Sequence, residues 1–306
     1  MRPILPPVPH RGRFAPSPTG PLHFGSLLAA FGSWLMARQA GGEWIVRIED
    51  IDPPREVPGA ADAQLRTLAA FGLHSDATVL RQSTRSRAYQ AALDTLVVRG
   101  KAFACHCSRS DLAASGGVHR ACVAGGGRPT PSIRLRVPED SLVDFEDAVY
   151  GCIEEDVAAT AGDVVLRRAD DCWAYQLAVV VDDAAQGITD VVRGADLLDS
   201  TARQILLQRR LGLPTPRYAH LPLVLDEAGR KLSKSLAALP VDDADPLPTL
   251  QAAWRALGQS PAHLPADANL ADTLAIAVHA FVPGRIPRSP PSERAAAHNE
   301  AITGAA

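Results

Sequence analysis

Residues 12–49 do more than any other stretch to restrict the fold of this chain. After Gly12, Arg13-Phe14-Ala15 can form a short strand, which Pro16-Ser17-Pro18-Thr19-Gly20-Pro21 ends. Leu22-His23-Phe24-Gly25-Ser26 then reads as a helix start. Leu27 to Arg38 keeps a helical pattern until Gly41-Gly42 stops it. Glu43-Trp44-Ile45-Val46-Arg47-Ile48-Glu49, rich in β-branched and aromatic residues, returns as a strand. A strand, a crossover helix and a second strand make the two strands parallel, and a parallel sheet needs helices on its faces. The expected fold class is therefore α/β. The turn at 16–21 leads into a helix N-terminus, where unpaired N–H groups and the helix dipole favour an anion. Glu49, Asp50 and Asp52 fall at the carboxyl end of a strand, the side on which α/β sheets bind ligands.

The rest of the chain extends this pattern and interrupts it once. Ala60–Phe71 and Ser86–Arg99 read as helices closed by Gly72 and Gly100. SIRLRV and GDVVLRR, within 132–170, read as short strands among turns. Tyr175–Val181 is expected as a strongly apolar strand and Thr189–Gly194 as a second one. Ser200–Leu211 reads as a helix with Ser200-Thr201 as its cap and Gly212 as its stop, and Tyr218–Leu225 as a strand. Residues 247–282 suggest two or three helices, between a Pro-rich irregular leader (1–11) and a disordered tail (284–306). The interruption is 102–128, where Cys105, Cys107, His119 and Cys122 lie among glycines. C-x-C followed by H-x-x-C has the tight paired spacing of a structural Cys₃His zinc site, one Zn2+ per chain. His106 competes with His119 for the fourth position. Cys152 and Cys172 have no spaced partner and read as buried or incidental.

Composition excludes several classes. With 46% hydrophobic residues the chain can bury a sizeable core, and its five cysteines do not suggest a secreted disulfide framework. No apolar run approaches a membrane span, and MRPILPPVPH lacks a signal-peptide core, so a soluble cytoplasmic protein is expected. A net charge of −3 gives no global basic field, so any nucleic-acid partner must meet a local patch. Arg81, Arg85, Arg87, Arg99, Lys101 and Arg109 supply a basic excess that reads either as a solvated helical face or as a backbone contact.

A late motif, Lys231-Leu232-Ser233-Lys234-Ser235, gives the early turn its partner. His23-Phe24-Gly25-Ser26 and KLSKS together resemble the two signatures of class I aminoacyl-tRNA synthetases, HIGH and KMSKS. The resemblance implies a Rossmann-like parallel-sheet catalytic domain in two halves, 12–101 and 171–240. Between them it implies a zinc-containing, acceptor-binding-like insertion at 102–170, with a short helical region at 241–283. It also implies adenylate formation from ATP and Mg2+, a reaction that asks mainly for positioning and charge stabilisation. His23, Lys231 and Lys234 are the implied catalytic residues; Pro18, Gly20, Gly25, Ser26 and Ser233 join them around ATP.

Arg13-Phe14-Ala15-Pro16-Ser17 and Ile48-Glu49-Asp50-Ile51-Asp52 look like the opening motif and second strand end of the glutamyl-tRNA synthetase family. The resemblance implies an L-glutamate site made of residues 13–17 with Glu49, Tyr175 and Arg193. Arginines can meet the two carboxylates and Glu49 the ammonium. For Arg193 an ion pair with Asp190 or Asp196 is the competing reading. The family's large C-terminal anticodon-binding region has no room after KLSKS, so a shorter group fits better: the glutamyl-queuosine tRNA(Asp) synthetases. Membership would imply tRNA-independent glutamate activation, then transfer to the queuosine base in the anticodon of tRNA(Asp), by a monomer. The alternative is a catalytic core that charges a tRNA 3′ end without an anticodon domain.

Overall fold

The computed structural model describes residues 9–123, 129–223, 240–265 and 267–288. Its strands are β1 (Arg11–Phe14), β2 (Glu43–Ile48), β3 (Leu80–Arg81), β4 (Ala102–Cys105), β5 (Ser132–Leu135), β6 (Leu142–Asp147), β7 (Gly151–Asp156), β8 (Val164–Arg167), β9 (Asp190–Gly194) and β10 (Arg217–Leu221). The helices are α1 (Phe24–Gln39), α2 (Ala60–Ala70), α3 (Ser86–Val98), α4 (Val157–Thr160), α5 (Tyr175–Ala185), α6 (Thr201–Leu211), α7 (Pro246–Ala256) and α8 (Leu270–Ala280).

The main sheet runs β3-β2-β1-β9-β10-β6-β7. Every neighbouring pair in it is parallel except β6–β7. Both faces are covered, which is why β2 buries five consecutive residues instead of alternating. Phe14, Trp44, Val46 and Ile48 pack on one side with α1, α7 and α8; Ile45, Val191 and Tyr218 pack on the other with α3, α5 and α6. A separate antiparallel sheet, β4-β5-β8, carries the cysteine region. The segment 142–156, expected inside the insertion, instead adds β6 and β7 to the main sheet.

Two local expectations are corrected. Tyr175–Val181 is helical, the first part of α5. Its β-branched run looks like a strand because Leu177, Ala178, Val179 and Val180 are all buried, which erases the amphipathic period. Ser200 does not cap α6: its φ/ψ of −79°/−17° is already helical, and it makes no side-chain cap bond. Its hydroxyl instead accepts from Gln176 Nε2 at 3.1 Å.

The sequence of strands reverses between β1 and β9. The chain leaves β1 toward β2 on one side, and β9 lies on the other. Such a switch point opens a crevice at the carboxyl ends of the two strands, where the turn after Phe14 and the end of β9 meet.

Candidate active site

The anion seat forms as the turn chemistry dictates. His23 is the N-cap of α1, and its Nδ1 accepts from the Ser26 N–H at 3.3 Å. The imidazole remains exposed at the helix N-terminus. Gly25 gives it room: a Cβ there would lie 3.2 Å from His23 Cε1. The turn itself is held from outside. Pro16 O accepts from Glu49 N–H and Pro18 O from Val57 N–H, each at 2.9 Å. Gln64, buried on α2, donates its amide to Ser17 O at 3.0 Å and Gly20 O at 2.7 Å. Pro240 pairs with His23 in an antiparallel bridge, and Val241 N–H donates to Leu22 O at 3.1 Å. The chain that follows KLSKS is thus fixed against the HFGS turn. Lys231, Ser233 and Lys234 themselves lie outside the described residues.

Beyond the turn lies a buried charge cluster. Arg13 donates to Asp183 through Nε (3.2 Å) and Nη2 (3.4 Å). Arg47 donates to the same carboxylate at 2.7 Å and to Glu49 Oε1 at 3.1 Å. Asp183 is held below the usual carboxylate range: burial opposes ionisation, but the two arginines outweigh it. Glu49 is pushed upward by burial, and Arg47 and Arg13 pull against that only in part. Phe14, next to Arg13, points to the opposite face and stacks on Trp44 with centroids 6.4 Å apart. Its side chain belongs to the core, so at a ligand it could offer only backbone.

Arg193, buried on β9, lies near this cluster. Its Nε donates to His220 Nε2 (3.1 Å). Its Nη1 donates to Tyr175 Oη (3.3 Å) and Gln204 Oε1 (2.8 Å). Its Nη2 donates to Leu197 O (3.3 Å) and Thr201 Oγ1 (2.9 Å). The competing ion pair with Asp190 does not form, because that carboxylate takes a bidentate contact from Arg217 at 2.7 Å. Tyr175 lies within electrostatic reach of Arg193, Glu49 and Arg13 at once. Arg13, Glu49, Tyr175 and Arg193, four of the residues expected around an amino acid, thus lie together, although Tyr175 comes from a helix.

The cysteine region also assembles. The ligand atoms of Cys105, Cys107, His119 and Cys122 all lie within 4.8 Å of one another. Cys122 Sγ is 3.9 Å from Cys105 Sγ and 3.8 Å from His119 Nε2. A tetrahedron with metal–sulfur bonds of about 2.3 Å has edges of about 3.8 Å, so the group could hold a metal ion. Without a cation the thiols oppose one another's ionisation, and burial and Cys105 push the Cys122 thiol up to about 11. His119, not His106, is the fourth member. Its Nδ1 meets Asp163 Oδ2 at 2.8 Å, the outer carboxylate that orients a ligating histidine. Cys152 is exposed.

The family "tRNA synthetases class I (E and Q), catalytic domain" matches residues 10–123 and 124–256. A glutamyl-Q tRNA(Asp) synthetase of Xanthomonas campestris pv. campestris (strain 8004) is 67% identical over 281 residues, 92% of this chain and 94% of that protein. The chain belongs to the glutamyl-Q tRNA(Asp) synthetases. Another member, from Burkholderia cenocepacia (strain HI2424), is 55% identical over 262 residues, 81% of this chain and 88% of its own. Among solved structures, the glutamate-tRNA synthetase of Elizabethkingia anophelis superposes with a TM-score of 0.75 at 25% identity, over 97% of this chain and 71% of that one. The fold is therefore that of a class I synthetase, and the chain is an aminoacyl-tRNA synthetase-like ligase.

Within this glutamyl-Q tRNA(Asp) synthetase, several supporting residues escaped the sequence. Asp182 and Asp183 belong to no motif in the sequence. Asp182 is fully buried and accepts from Gln82 (2.9 Å), Arg85 (3.0 Å) and Tyr89 (2.6 Å). Arg85 is thus an internal ion-pair partner, and Arg81 pairs with Asp62 at 2.6 Å, so the basic excess is partly structural. Asp50 accepts from Ser83 and Asp52 from Arg55 and Arg168, which leaves Glu49 as the acid of its motif that faces the pocket. No described helix is long and apolar enough to cross a membrane.

Proposed function

We propose that the protein activates L-glutamate with ATP, without needing tRNA, and transfers the glutamyl group to the queuosine base in the anticodon of tRNA(Asp). One observation carries the reading: Tyr175 lies within electrostatic reach of Arg13, Glu49 and Arg193 at once, and the turn that follows Arg13 leads to the His23 cap of α1. Residues 13–17, with Phe14 through its backbone, form the glutamate side of the site; Pro18, Gly20, His23, Gly25 and Ser26 form the ATP side.

In the first step a carboxylate oxygen of glutamate attacks the α-phosphorus of ATP. The bond to the bridging oxygen breaks and pyrophosphate leaves with Mg2+. Buried arginines hold the carboxylates, Glu49 holds the ammonium, and His23 and the α1 N-terminus meet the charge that builds on the phosphates. Lys231 and Lys234 add positive charge there. In the second step a hydroxyl oxygen of the modified base attacks the acyl carbon, the bond from that carbon to the phosphate oxygen breaks, AMP departs, and the hydroxyl proton passes to the leaving phosphate or to water. Cys105, Cys107, His119 and Cys122 hold one structural Zn2+, which fixes the loops around β4 without entering the reaction. The enzyme works as a cytoplasmic monomer.

The test supplies ATP and labelled glutamate with queuosine-containing and queuosine-lacking tRNA(Asp). Label retained only on the modified tRNA, and stable to removal of the terminal adenosine, is the expected result. Label on the 3′ terminus would establish the charging alternative. Absence of glutamate-dependent pyrophosphate exchange by metal-loaded protein would overturn the activation step.

A further inference from the structure

The glutamate pocket has a buried support on its far side that no motif announces. Three adjacent strands contribute to it. His220 on β10 is the direct register partner of Arg193 on β9, and Asp147 ends β6 beside Tyr218. Asp147 and His220 are 1% and 0% exposed. Asp147 Oδ2 meets His220 Nδ1 at 2.6 Å. Its Oδ1 accepts from the N–H groups of Val149 (3.0 Å), Tyr150 (2.9 Å) and His220 (3.3 Å). The carboxylate is thereby satisfied at every side and stays ionised. His220 stays neutral, because burial outweighs the pull of Asp147. With its proton on Nδ1, facing the carboxylate, the imidazole must present a lone pair at Nε2. That lone pair receives Arg193 Nε–H at 3.1 Å.

The arrangement does two things for Arg193. It locks the guanidinium plane from its Nε edge, with Tyr218 stacked on His220 at 6.3 Å and lying 5.8 Å from the guanidinium. It also supplies the acceptor for Nε, while Tyr175, Gln204, Leu197 O and Thr201 accept from the other four donors, so all five hydrogen bonds of the guanidinium go to neutral acceptors. Arg13, by contrast, shares Asp183. A substrate carboxylate reaching Arg193 would displace neutral acceptors, whereas at Arg13 it would compete with Asp183.

We propose that Asp147 and His220 are positioning residues for glutamate binding: they fix the tautomer and the plane against which Arg193 is held toward a substrate carboxylate. This rests on the reading of Arg193 as a glutamate ligand. The second histidine tautomer would set Nε2–H against Nε–H, two donors face to face. Asp147→Asn favours that tautomer with almost no change of shape, because its amide can keep the backbone N–H bonds on oxygen and turn NH₂ toward Nδ1.

The experiment measures glutamate-dependent pyrophosphate exchange for the parent and for Asp147→Asn, His220→Leu, His220→Gln and Arg193→Lys, with thermal unfolding of each. Expected is a rise in KM for glutamate of roughly 10- to 100-fold in Asp147→Asn and His220→Leu, the size of one lost bond to a charged group. KM for ATP should stay within about twofold. His220→Gln, whose carbonyl oxygen can accept from Nε–H, should recover most of the loss. If His220→Leu fails to fold, Asp147→Asn and His220→Gln decide the matter. An unchanged glutamate KM in Asp147→Asn while Arg193→Lys raises it would overturn the positioning role alone. An unchanged KM in Arg193→Lys would remove Arg193 from the pocket, and this proposal with it.

Discussion

Arg13 and Arg193 line one crevice, yet their neighbours treat them differently. Arg13 and Arg47 share Asp183, and Glu49 completes a cluster of two cations and two anions. Removing one member leaves a buried charge without its partner. Asp183→Ala should therefore destabilise the protein by about 3–5 kcal/mol, measured by urea unfolding. Because Asp183 is held below the usual range, its stabilisation is complete above about pH 4 and is lost as pH falls through its lowered value. His220 gives a second pH signature. Its folded value is lowered to about 4, so between there and about 6.5 the unfolded chain binds a proton that the folded chain refuses. Stability must then fall with decreasing pH across that window, by up to about 1.4 kcal/mol per unit from this group. His10 acts in the same sense, whereas Glu49 and Glu155, raised by burial, oppose it. The difference between the parent and His220→Gln isolates one histidine, and the variant should show the shallower slope between pH 6.5 and 4.5.

At the scale of elements, the turn at 16–20 depends on a neighbour. Gln64 on α2 donates to two of its carbonyls, so Gln64→Leu should loosen both substrate sides together. The expected result is a fall in kcat/KM for glutamate and for ATP alike, by on the order of tenfold, with less than about 2 kcal/mol lost in stability. The same elements show what a sequence discloses. The β1–α1–β2 unit was readable because Pro, Gly and His mark a turn and a helix start that few folds can use. The Cys₃His cluster was readable because ligand spacing is local, and the structure groups His119, not His106, with the three cysteines. Tyr175 was readable as a neighbour of Arg193 but not as a helical residue. Asp183, His220 and Asp147 were not legible at all. Their roles arise from pairing across strands and helices far apart in the chain, and a buried acid in sequence looks the same as a solvated one.

On the scale of the whole molecule, the sheet β4-β5-β8 is small, and its outer loops converge on Cys105, Cys107, His119 and Cys122. A sheet of this size has little core of its own, so an ion there should supply much of its order. Metal analysis should find one zinc per chain, and chelation should lower the Tm by on the order of 10 °C. Metal-free protein with full stability would sink the assignment. The main sheet imposes a different discipline through α5. Tyr175 at its start meets Arg193, while Asp182 and Asp183, about 100° apart around the helix axis, look in different directions, one toward α3 and the other toward β1 and β2. One residue inserted or deleted between them would turn everything downstream by about 100° around the helix axis. Both acids would then leave their partners together. The interval from Tyr175 to Asp183 should therefore be closed to insertions and deletions even where single substitutions in α5 are tolerated.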